Sequence, residues 1–125
     1  DEGLQQASIL TLATHKFEPA REIMIELLES DSRNIRFASA SGLIYYKEPR
    51  VLGIIEKILD IEATNGNTPK ALDENKVFGL KLNVINGLKK TGWKELAIIV
   101  EKHIKNEKNL KLVGAARQVL DGLKQ

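Results

Sequence analysis

Apolar residues along this chain recur at intervals of three and four, and no stretch keeps the strict alternation of a half-buried strand. Such intervals put side chains on one face of an α-helix, so the pattern predicts an all-α protein. Helices are predicted near residues 3–16, 20–29, 33–46, 50–61, 74–91, 93–105 and 109–124. Pro19 and Pro49 fall at first turns, where a backbone N–H has no helical partner to lose. The stretches ESDSRN, Glu29 to Asn34, and KNEKN, Lys105 to Asn109, supply oxygens suited to capping the next helix, and Gly92 stands where a helix would end.

The apolar slots also repeat over longer distances. Leu4, Ala7, Ser8, Thr11 and Leu12 recur as Ile35, Ala38, Ser39, Gly42 and Leu43, then as Leu80, Asn83, Val84, Gly87 and Leu88, then as Leu112, Ala115, Ala116, Val119 and Leu120. The second helix of each pair follows the same shifts: Ala20, Ile23, Met24, Leu27 and Leu28 become Val51, Ile54, Ile55, Ile58 and Leu59, then Leu96, Ile99, Val100, His103 and Ile104. Helical periodicity fixes spacing within a helix but not the distance between two, so shared shifts of 31 and 45 residues point to a repeated helix pair. The longer shift places an insertion near residues 62–75.

Repeat two, SDSRNIRFASASGLIYYKEPRVLGIIEKILD, resembles the HEAT-repeat family and its short bacterial HEAT-like variants, and the resemblance extends over nearly the whole chain. The slot after the leading apolar residue, basic in that family, holds Gln5, Lys81 and Val113 in the other repeats. What the resemblance implies is an α-α superhelix, a HEAT-like (armadillo-like) solenoid of about three helix pairs plus a closing helix, in one domain with repeats near 1–30, 31–61, 74–106 and 107–125. An irregular helical bundle is the alternative. Ala38, Ser39 and Gly42 lie on the repeated stripe of repeat two, so they are expected to act as spacers that let neighbouring helices approach. Ser39 and Ser41 are read as packing or surface residues, not as nucleophiles.

Composition narrows the chemistry. The 125 residues include no cysteine, which excludes disulfides, thiol nucleophiles and thiolate metal sites. No apolar run approaches the length of a membrane-spanning helix. Beginning at Asp1, the chain reads as an excised domain or a processed mature form; a cytoplasmic location is the default, with secreted and periplasmic forms left open. His15 and His103 lie in different repeats and neither has a second histidine at ligand spacing. His103 occupies a slot that holds Leu27 and Ile58 elsewhere, so it is read as a core-edge residue. The stretch GLKKTGWK lacks the spacing of a phosphate loop. Trp93 is read as packing against the inserted loop in preference to a partner-binding anchor beside Lys89, Lys90 and Lys94, and Asn83 as an edge residue or one bonded to a carbonyl, because an unpaired buried amide is costly. No cofactor is expected, and the chain is read as a non-enzyme.

Surface is what remains. In the family that the repeats resemble, second helices line a concave face used for partners, which implies a protein or peptide site at Leu52, Glu56, Lys57, Ile98, Lys102 and Lys105. Charge offers a second reading. Through Glu62 there are seven Lys/Arg against eleven Asp/Glu, and from Ala63 onward twelve against six, so the second half is basic. Lys94, Lys105, Lys108 and Lys111 could bind phosphate, making nucleic acid the lesser alternative because the lysines have few aromatic or arginine neighbours.

Overall fold

A computed structural model of the chain describes residues 18–61 and 74–124. The predicted first helix, His15 and the insertion as far as residue 73 lie outside the described residues. The rest is helical: α1 (Glu18–Leu27), α2 (Arg33–Leu43), α3 (Leu52–Asp60), α4 (Glu74–Thr91), α5 (Lys94–Ile104) and α6 (Leu110–Leu123), with short 3-10 turns at Ile44–Tyr46 and Pro49–Val51. Among the described residues there is no strand, and no helix is long and apolar enough to cross a membrane. The chain is all-α. It divides into two compact units between Ile55 and Glu56, within α3.

In the first unit α1 packs on α2 through buried Ala20 and Met24. Ser32 caps α2, its hydroxyl accepting the Ile35 N–H at 3.2 Å, so the predicted capping stretch supplies its cap as expected. After Leu43 the helix tightens to 3-10 and stops at Lys47, whose φ of 52° is left-handed. The Lys47 N–H bonds the Ile44 carbonyl and the Glu48 N–H bonds that of Leu43, a Schellman arrangement that uses the last carbonyls. Pro49 then enforces an extended Glu48 and opens the next turn. Glu48 is only 5% exposed. It is held by Arg21 of α1 at 2.6 Å and by Arg50 at 3.4 Å, an ion pair that ties this corner back to the preceding helix.

The face that α1 buries differs from the one expected. The inward side of the helix carries half-buried Arg21 and Ile25 beside Ala20 and Met24, while Ile23, expected in the core, is 54% exposed. Ile23 is the one repeat slot among the described residues that faces water. α2 also departs from expectation, in the opposite sense. A single buried stripe through Ala38, Ser39 and Gly42 was predicted; the structure buries every residue from Phe37 to Ile44. Side chains this small make a slim helix that can be enclosed on all faces.

The second unit is built on α4, which buries Val77, Lys81, Val84, Ile85, Gly87 and Leu88. It packs on both α5 and α6, which also pack on each other. Leu96, Val100 and Ile104 face inward from α5, and Leu112, Ala116 and Leu120 from α6. Gly92 ends α4 with φ 62°, its N–H bonding the Leu88 carbonyl at 2.8 Å, the role expected of it. Trp93 follows at 5% exposure, buried as expected, while the loop it was expected to pack against lies outside the described residues.

Enclosure of α2 has one cost. The hydroxyls of Ser39 and Ser41, at 0% and 1% exposure, have no hydrogen-bond partner among the described residues. Burying an unpaired hydroxyl costs about 1–3 kcal/mol, and alanine is also the better helix former. Ser39→Ala and Ser41→Ala are each expected to raise stability by about 1 kcal/mol on those grounds, read as a higher midpoint in denaturant with an unchanged slope.

Candidate functional site

The second unit brings together the groups most able to do chemistry. Lys81 lies in phase with Val77, Val84 and Ile85 on the buried stripe of α4, so its ammonium is carried inward. Its Nζ donates to Oε1 of Glu107 at 2.7 Å, with the two side chains only 8% and 12% exposed. Glu107 sits in the turn between α5 and α6, and its Oε2 accepts the Asn109 N–H at 3.0 Å. Asn109 in turn caps α6, its Oδ1 accepting the N–H groups of Lys111 at 2.9 Å and Leu112 at 3.3 Å. A buried cation, a turn carboxylate and a helix cap thus form one continuous chain. Burial alone would raise the Glu107 carboxyl, but the Lys81 hydrogen bond, the Asn109 and Lys108 amides and the Lys81 charge outweigh it, and the group is held below its ordinary value.

A second cluster stands beside it. His103, on α5, points Nδ1 at Asp60 Oδ1 at 2.7 Å and Nε2 at Glu56 Oε1 at 3.4 Å. Glu56 and Asp60 are one turn apart on α3, so one helix face presents both carboxylates. Lys102 also reaches Glu56, at 3.7 Å. The imidazole is 12% exposed, in keeping with the core-edge reading, but it is also bonded to acids that the reading did not include.

Between these clusters lies a cleft of about 380 Å³. Leu59, Val77, Phe78 and Leu112 supply apolar wall, Asp60, Lys81 and Glu107 supply charge, and His103 supplies an imidazole. These polar groups are paired with one another, Lys81 with Glu107 and His103 with Asp60, which makes the site a cross-braced pocket. Among the described residues no group of three or more His, Asp or Glu is placed to hold a metal ion.

Of the residues expected to meet a partner, Leu52 is half-buried and belongs to the first unit. Glu56, Lys57, Ile98, Lys102 and Lys105 belong to the second, where Glu56 and Lys102 are brought together and Ile98 is 68% exposed. Lys94, Lys105, Lys108 and Lys111 are all exposed. Asn83 is half-buried, at the edge as expected. Sequence reasoning missed Lys81 and Glu107. The phase of Lys81 between Val77 and Ile85 was a readable signal for burial, but nothing in the sequence pairs it with a residue 26 positions on. It also missed Leu110, 83% exposed at the start of α6.

Comparison with protein-family models, curated proteins and solved structures finds no match to this chain.

Removing one partner of a buried ion pair strands the other charge, so Lys81→Met and Glu107→Gln are each expected to cost about 2–4 kcal/mol. The double variant Lys81→Met/Glu107→Leu is expected to regain most of that loss, because it leaves no charge behind. The Glu107 contribution has a defined pH dependence. With its folded-state value below the ordinary 4.5, its stabilisation is fully present above that value and is lost as pH falls through the lowered one. Urea titrations should show the gap between wild type and Glu107→Gln constant above about pH 5 and closing as the pH falls below that range.

Proposed function

We propose that this chain is a non-enzymatic, HEAT-like helical-repeat scaffold that binds a peptide or helix of another protein on its second helices. The observation that carries the reading is Ile98 on α5. It is 68% exposed, and the positions one turn away on either side, Lys94, Glu95, Glu101 and Lys102, are all exposed and charged. An apolar spot ringed by both signs of charge suits a partner helix with one apolar anchor flanked by acidic and basic residues. Glu56 of α3, which Lys102 reaches at 3.7 Å, and Lys105 after α5 extend the charged rim, and Lys57 beside Glu56 is exposed. Support for the repeat itself comes from burial: within each unit the slots that recur along the sequence turn inward, Ile23 excepted.

A second reading, binding of nucleic acid, draws on Lys105, Lys108 and Lys111, which step around the α5–α6 turn at intervals of three and are exposed. Lysine alone gives no bidentate grip on phosphate, and Arg117 is the single arginine after Ala63, so this reading takes second place.

Photo-crosslinking from the α5 surface, with wild type and Ile98→Asp compared side by side, tests the scaffold reading. Ile98→Asp is expected to weaken a captured partner by about tenfold or more with helicity unchanged by circular dichroism. A partner retained at full strength by Ile98→Asp overturns the proposed face. For the second reading, binding to duplex DNA should weaken with a log–log salt slope of roughly −3 to −4 if about four lysines meet phosphate. Absence of binding at low salt removes it.

A further inference from the structure

His103 has an arrangement that a single protonation state explains best. Both ring nitrogens face carboxylates, Nδ1 toward Asp60 at 2.7 Å and Nε2 toward Glu56 at 3.4 Å. A neutral imidazole has one N–H and one lone pair, so it can donate to one acid only; the charged ring donates to both. The two contacts are not equal. The Asp60 distance is that of a short charge-assisted bond, whereas the Glu56 contact is long and mainly electrostatic.

We propose that His103 is a charge-dependent clasp between α5 and the end of α3, with Asp60 as its permanent partner and Glu56 as its conditional one. In the charged state the ring holds both acids. In the neutral state Nδ1–H stays on Asp60, and the Nε2 lone pair turns toward the Glu56 carboxylate, so attraction becomes repulsion. Glu56 is then left to Lys102. The surrounding charges leave this logic in place. From α4 and the α5–α6 turn the neighbours are Lys81 and Glu107, which neutralise each other; Glu74 and Lys108 line the same cleft; α6 contributes the uncharged Leu112. The geometry lies wholly within the second unit and does not depend on the scaffold reading.

The test uses the intact chain. Long-range ¹H–¹⁵N correlation of the imidazole at about pH 5.5 and about pH 8.5 samples both sides of the range in which an imidazole ordinarily changes charge. At the acid end both nitrogens should carry protons. At the alkaline end the neutral ring should be the Nδ1–H tautomer, because Asp60 holds that proton. A neutral ring protonated on Nε2 overturns the assignment of Asp60 as permanent partner. A double-mutant cycle of Glu56→Gln and His103→Gln, read from denaturation midpoints at the same two pH values, tests the conditional partner. Favourable coupling at the acid end that vanishes or reverses at the alkaline end supports the clasp; equal coupling at both overturns it.

Discussion

None of the shorter helices in this protein could stand alone in water. α1, α2, α3 and α5 have 10, 11, 9 and 11 residues, below the length at which even good helix-forming peptides are more than marginal. Their existence therefore depends on burying an apolar stripe against a neighbour, and the constraint reaches down to individual residues. Ala20 and Met24, Ile55 and Ile58, and Leu96 and Val100 are buried at helical spacing because each short helix has to bring one face out of water. α2 meets the same need differently. It fills its middle with Ala38, Ser39, Ala40, Ser41 and Gly42, all buried, so that tertiary packing and not intrinsic propensity holds it helical.

Ending a helix in such a fold matters as much as starting one, since orphan backbone groups beside a core must find partners. Three solutions occur. Ser32 and Asn109 satisfy N-terminal donors with side-chain oxygens. Gly92 takes up the left-handed conformation at no steric cost, and Lys47 does so without that freedom. At Lys47 the following Pro49 and the buried Glu48 fix the corner, so the strained residue is held by its neighbours and not by its own preference.

This division of labour explains what the sequence made legible. Spacing of apolar residues placed all six described helices, because burial of a stripe imposes a period that survives in the order of residues. Caps were legible for the same local reason: Ser32, Gly92 and Asn109 act within a few positions of themselves. The depth of enclosure of α2 was not, because a helical wheel identifies a face and says nothing of how many neighbours surround it. The outward position of Ile23 was also hidden, as was the contact of Arg21 with Glu48, 27 residues away. In the candidate site His103 was singled out as a core-edge residue, but its acids come from another helix, and Glu107 looked like an ordinary turn residue.

The charged groups that enter the interior share one feature. Glu48 and Glu107 both lie in turns, and each meets a cation on a helix at a distance of 27 and 26 residues in sequence. Apolar stripes of isoleucine, leucine and valine do not by themselves fix how far one helix slides along another, because after one turn a similar side chain arrives in nearly the same place. An ion pair is directional and short-ranged. If α4 moved one turn relative to the α5–α6 turn, Lys81 would stay buried with no anion opposite it, at a cost of about 3–5 kcal/mol for a stranded buried charge. The pair thus adds little to stability over a well-packed apolar substitute, yet it raises the energy of the slipped arrangement by much more. A chain whose apolar pattern repeats needs that distinction, since its similar stripes make wrong pairings nearly as good as right ones. Lys81 and Glu107 supply it in the second unit, and Arg21 and Glu48 in the first.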